Sequence, residues 1–132
     1  MAFFTDQCQR QIELVSKPLR IVSTVPSQTE LLSGLGLDAQ VIGITAYCVH
    51  PAHYLKEKTV IGGTKNLQIE KIRSLKPDLI IGNKEENIKE QIEELAQEFP
   101  VWLSDINTVD DALAMIEAIG EICQAESKAR EI

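Results

Sequence analysis

Arg20–Gly36, RIVSTVPSQTELLSGLG, and Ile61–Gly82, IGGTKNLQIEKIRSLKPDLIIG, decide the fold. Each joins a short apolar run to a polar turn and a stretch with helical spacing. In the first, Leu19–Thr24 reads as a buried, β-branched strand. Ser27-Gln28-Thr29-Glu30 then has the form of a capping box, the Ser27 hydroxyl accepting from the Glu30 amide and the Glu30 carboxylate reaching back. Leu31, Leu32 and Leu35 share a helical face, and Gly34 or Gly36 supplies the stop. In the second stretch Gly62-Gly63-Thr64-Lys65-Asn66 reads as a loop, with Asn66 capping a helix through Ile69, Ile72 and Leu75. Pro77 closes that helix, because the residue before a proline is pushed out of the helical region. Leu79–Gly82 is the next strand.

The same alternation continues outward. Val41–Ile44 and Val60–Ile61 read as strands, and Val101–Leu103 as another after Pro100. Glu86–Phe99 is an amphipathic helix with Ile88, Ile92, Leu95 and Phe99 on one stripe. Glu85–Lys89 and Lys89–Glu93 at i,i+4 mark its solvated side. Thr108-Val109-Asp110-Asp111 is a second capping signal. It opens a helix carrying Ala112, Leu113, Met115, Ile116, Ile119, Ile122 and Cys123, an apolar arc wider than one face needs, with no stop before Ile132. Phe3–Thr5 and Gln11–Leu14 form a small hairpin ahead of a break at Lys17-Pro18. The expectation is one α/β domain: a three-layer, Rossmann-like lobe with a mostly parallel sheet of four to five strands and a long C-terminal helix.

Composition narrows the function. A formal charge of −7, with no basic cluster to offset it, argues against a nucleic-acid surface. No apolar run is long enough to span a membrane. The N-terminus lacks the basic start, apolar core and cleavage site of a signal peptide, so the chain as written reads as cytoplasmic. Cys8, Cys48 and Cys123 form no CxxC pair and read as reduced structural thiols.

Most chemical motifs fail on context. Gly34-Leu35-Gly36 closes a helix, whereas a dinucleotide fingerprint opens one after a strand. Gly62-Gly63-Thr64-Lys65 lacks the spacing of a phosphate loop, although two glycines before a helix leave amides that can face an anion. Cys48, His50 and His53 fall short of the four ligands of a structural zinc site. No nucleophile elbow or HExxH is present. Neither catalytic nor metal-binding residues are assigned. What remains is a set of polar groups at strand ends: Ser27 and Gln28, Tyr47, Thr64 and Lys65, Asn83 and Lys84, Ser104 and Asp105. A parallel sheet brings all of them to one rim, where open α/β sheets bind ligands.

Three segments carry a family resemblance: residues 20–36, VIGITAYCVHP at 41–51, and residues 61–82 with their Asn, Glu, Ile and Leu-Lys-Pro-Asp-Leu order. The chain resembles the N-terminal lobe of class III periplasmic binding proteins, the cobalamin-, haem- and ferric-siderophore-binding partners of ABC importers, also called helical-backbone metal receptors. The likeness is nearest the cobalamin branch. The resemblance implies an N-terminal lobe over residues 1–107, the start of a bridging helix over 108–132, and a second lobe that is absent. It implies no catalysis and no covalently bound cofactor. The implied ligand is cobalamin, haem or a ferric siderophore, held by Pro26, Ser27, Gln28, Tyr47, Thr64 and Lys65. Tyr47 would give flat apolar contact to a macrocycle. Glu70 matches the acidic residue that docks this lobe on arginines of the importer's membrane subunits, and the location implied is the periplasm or cell surface. Two other readings stand beside it: a ligand-free lobe forming a homodimer through the Ala112–Cys123 face, and a small α/β enzyme with an anion site at Gly62–Lys65.

Overall fold

The computed structural model describes residues 2–46 and 53–131. In chain order the elements are β1 (Ala2–Thr5), β2 (Gln11–Leu14), β3 (Ile21–Ser23), α1 (Pro26–Gly34), β4 (Val41–Ile44), α2 (Tyr54–Glu57), β5 (Thr59–Val60), β6 (Gly62–Gly63), β7 (Asn66–Leu67), α3 (Ile69–Leu75), β8 (Leu79–Asn83), α4 (Lys89–Ala96), β9 (Val101–Ser104), α5 (Val109–Ile122) and α6 (Glu126–Glu131). Strands β5-β4-β3-β8-β9 form one sheet in that order, and all four pairings are parallel.

Alternation along each strand sorts the core into two layers. Ile21, Leu79, Ile81 and Trp102 face one side with Leu32, Leu35, Met115 and Ile119. Val22, Ile80, Val101 and Leu103 face the other with Ile72, Ile92 and Leu95. Strands covered on both faces read as unbroken apolar runs, which is why they were visible in the sequence. The three-layer α/β lobe is the expected one.

Four local expectations are corrected. Helix α1 begins at Pro26 with Val25 as its N-cap, no side chain caps it, and Ser27 is exposed inside its first turn. Proline, with φ preset and no amide to satisfy, sets the start and leaves the expected Ser27–Glu30 capping box no end to cap. Asn66 lies in β7 and Gln68 holds the N-cap position of α3 without a side-chain cap bond, so Asn66 is not the cap. Helix α4 begins at Lys89 rather than Glu86, because the Asn83 side chain accepts the amides of Glu85 and Glu86 at 2.8 and 3.0 Å and turns the chain first.

The fourth correction concerns the C-terminal helix. Its Thr108/Asp111 capping box is present, but the helix stops at Ile122, with Gln124 at φ 56. Helix α6 then folds back so closely that a Cβ on Gly120 would sit 2.6 Å from the Cβ of Ala129. This reversal and the β1–β2 hairpin account for the wide apolar arc: Met115, Ile119, Ile122 and Cys123 are buried in the same core as Ile12, Leu14 and Ala129. Burial pushes the Cys123 thiol up to about 12, so it is a neutral packing group. Only Val109, at 75%, and Leu113, at 50%, remain as large exposed apolar side chains of α5. The face expected to drive self-association is therefore mostly interior.

The hairpin itself is antiparallel, as expected, with Phe4 opposite Ile12. Its turn seals the outer edge of β9. Buried Asp6 accepts the amides of Cys8, Arg10 and Leu103 at 2.9, 2.8 and 3.1 Å, while the Gln7 amide donates to the Leu103 carbonyl at 3.1 Å. An unpaired strand edge is thereby covered.

Candidate ligand rim

Strands β3 and β8 lie side by side at the centre of the sheet, with β4 and β5 on one flank and β9 on the other. The connections leaving β3 and β8 therefore diverge, and the crevice at their carboxyl ends is the switch point at which open sheets of this kind receive ligands.

A buried polar network sets the shape of this crevice. Asn87, buried after β8, donates to the carbonyls of Thr24 at 3.2 Å and Thr64 at 2.9 Å. Its Oδ1 faces the Thr24 hydroxyl at 2.8 Å and accepts the Asn83 amide at 3.0 Å. One side chain thus ties the loops after β3, after β6 and after β8 into a single ledge. Neither Thr24 nor Asn87 was singled out from the sequence. The available signal was only a second Asn four residues after Asn83, in a stretch that otherwise reads as a charged helix start.

The expected rim residues divide between surface and support. Pro26 is half-buried and Ser27 exposed, both at the start of α1. Gln28, expected on the exposed rim, is 1% exposed and turned inward. Its Nε2 donates to the Gly82 carbonyl at 2.9 Å and the Ser104 hydroxyl at 2.7 Å, while its Oε1 is buried without a partner among the described residues. Ser104 is likewise buried and also accepts from Asn83 Nδ2 at 2.9 Å. Thr64 is half-buried and Lys65 exposed, at the turn between β6 and β7, with Lys65 Nζ donating to the Glu85 carbonyl. Lys84 and Asp105 approach to 3.6 Å. Tyr47, like Cys48 and His50, lies outside the described residues. Among the described residues no cluster of His, Cys, Asp or Glu is placed to hold a metal ion.

Gly62–Lys65 does not precede a helix, which corrects the anion-site expectation. Gly62 has φ 108, and a Cβ there would lie 2.4 Å from the Asn66 carbonyl oxygen. Its glycine is needed to close the tight β6–β7 ribbon, not to bare amides toward an anion.

Glu70 stands in the first turn of α3 with its side chain 84% exposed. It pairs with Arg73, whose guanidinium also donates to Glu94 on α4 at 3.0 Å and to Glu98, just past the end of α4, at 2.6 Å. Hydrogen bonding to Glu98, and then to Glu70, pushes the Arg73 pKa up. Three carboxylates around one cation leave this surface net acidic.

Comparison with known proteins fits this geometry. The chain is 32% identical over 133 residues to YvrC of Bacillus subtilis, an ABC transporter substrate-binding lipoprotein, covering 96% of this chain and 41% of that protein. Its fold superposes on the periplasmic vitamin B12 binding protein BtuF of Vibrio cholerae with a TM-score of 0.75 at 29% identity, covering 87% of this chain and 48% of the other. A possible iron-binding, periplasmic solute-binding protein of Staphylococcus epidermidis gives 0.79 at 26% identity, covering 88% and 46%. The chain thus spans less than half the length of each. The cytoplasmic reading of the N-terminus finds no support in these relatives, described as a lipoprotein or as periplasmic. Residues 21–132 match the model of the periplasmic binding protein family, and the chain belongs to that family, which is one of binding proteins and not of enzymes.

Proposed function

We propose that this chain is the N-terminal, ligand-facing lobe of an exported solute-binding protein that delivers cobalamin or an iron chelate to an ABC importer. The observation that carries the reading is the ledge at the switch point, where Asn87 ties Thr24, two residues before Pro26, to Thr64. Pro26, Ser27, Tyr47, Thr64 and Lys65 are the ligand contacts in this proposal, and Gln28, turned inward, supports the start of α1. Residues 1–107 form the body of the lobe, α5 and α6 pack on its core, and the segment from 108 is the side on which a second lobe would follow. A single ledge covers one side of a large ligand, whereas binding pockets bury most of theirs. Tight binding accordingly needs both lobes.

The direct test is a visible-spectrum titration of a protein carrying both lobes with aquocobalamin, haemin and a ferric catecholate. A saturable band shift with at least one is the expected result, and no shift with any of the three would reject the reading.

Glu70 is the docking contact in this proposal. A carboxylate this exposed gains little from its own helix, whereas opposite charge across an interface governs association rate and orientation. Glu70→Lys in the two-lobed protein is expected to leave ligand affinity unchanged and to weaken binding to the reconstituted importer about tenfold, through slower association at low salt. Unchanged association would remove Glu70 from the interface.

A further inference from the structure

We infer that the groove between the N-terminal hairpin turn and α4 is a second binding site, for a small amphiphilic organic anion such as a short-chain carboxylate. The groove has a volume of ≈ 430 Å³, within the range of small-molecule pockets. It lies on the β9 side of the ledge, and none of Pro26, Ser27, Gln28, Thr64 or Lys65 lines it. It shares Asn83, Lys84 and Asn87 with the ledge, and so adjoins the proposed ligand rim without including those five residues.

Its chemistry is two-sided. Ile92 and Leu103 give an apolar floor, extended by the Cys8 thiol. That thiol is neutral at ordinary pH: burial, and then Asp6 and Asp105, push its pKa up. Arg10, Lys84 and Lys89 stand around this floor, against the single lining carboxylate of Glu93. A cationic rim is unexpected in a chain with 20 acidic and 13 basic residues. Its cations are also weakly engaged. Lys84 meets Asp105 at 3.6 Å and Lys89 meets Glu93 at 3.9 Å, while the Arg10 guanidinium forms no ion pair among the described residues. An anionic head group meets Arg10 and Lys89 without displacing a good salt bridge, and a short alkyl body replaces water over Ile92 and Leu103. A neutral chain forgoes the first contribution, and inorganic phosphate forgoes the second.

The experiment is a titration of this chain with sodium hexanoate, and separately with hexanol, followed by amide 1H–15N correlation spectra. Saturable shifts are expected at Cys8, Arg10, Lys84, Lys89 and Leu103 with hexanoate, and much smaller ones with hexanol. R10Q/K89Q is expected to raise the hexanoate Kd about fivefold or more, each charge contributing modestly. Lys89 is exposed and Arg10 half-buried, and the remaining cross-peaks report directly whether the variant is folded. Raising the salt concentration provides the same comparison without a substitution, since the hexanoate Kd should rise while the hexanol response stays constant. Equal shifts from hexanol, shifts centred on other residues, or a Kd indifferent to both R10Q/K89Q and salt would each overturn the site.

Discussion

Asn87→Ala is expected to lower the stability of the lobe by about 3 kcal/mol, because four hydrogen bonds are lost in a buried setting. The loss exceeds what one hydrogen bond contributes, since the Thr24 carbonyl and the Asn83 amide are left without a partner where water has poor access. Urea unfolding followed by far-UV circular dichroism measures it as a fall in midpoint at constant slope. Thr24→Val probes the same network from the other side, its hydroxyl lying 2.8 Å from Asn87 Oδ1. The double variant should cost less than the sum of the two, with a coupling of about 1 kcal/mol. Additive losses would mean that Thr24 and Asn87 stabilise the lobe independently. In the two-lobed protein Asn87→Ala should also weaken ligand binding, because the loops after β3 and β6 no longer share an anchor.

Gly62→Ala is the second large effect, about 3 kcal/mol, near the upper end for a single substitution. Two penalties combine. The backbone sits at φ 108, outside the comfortable range of an L-residue, and the new methyl would stand 2.4 Å from the Asn66 carbonyl oxygen and 3.1 Å from the Gln68 nitrogen. Both obstacles are backbone, so no rotamer change relieves them. Gly36 is the control: it also has positive φ, at 77, but nothing lies within 4 Å of its Cβ position. Gly36→Ala should cost only the left-handed strain, about 1 kcal/mol. Equal midpoints for the two variants would show that the β6–β7 ribbon yields to the methyl.

These two sites mark what was legible in the sequence and what was not. The strands at Ile21–Ser23, Leu79–Asn83 and Val101–Ser104 were legible because burial on both faces demands apolar residues at consecutive positions. The position of Pro26 and Ser27 just past a central strand was legible, whereas Thr64 and Lys65 sit at the turn of the separate antiparallel β6–β7 ribbon, which reads in the sequence as a plain loop before a helix. Asn87 was hidden because its role depends on partners 63 and 23 residues away, at Thr24 and Thr64. Gln28 was misplaced for a related reason. Polar type suggested exposure, whereas the side-chain Nε2 donates to Gly82 and Ser104, contacts that exist only after the sheet assembles. Ser27 fitted a capping pattern that Pro26 pre-empts one residue earlier, so a local rule lost to a stronger local rule. The reversal after Cys123 left no mark in the hydrophobic pattern, because α6 buries the same apolar arc that a longer helix would have presented elsewhere.

The clasp between Asp6 and Leu103 also has a consequence for how the lobe comes together. The hairpin turn completes its hydrogen bonds with a strand 97 residues downstream, and the Gln7 side chain reaches the Asp111 carbonyl, 104 residues away. Closing so long a loop costs chain entropy before any contact offsets it. Strands β3, β4 and β8 pair over shorter separations. The hairpin is therefore expected to dock late, as a latch on a sheet that has already formed.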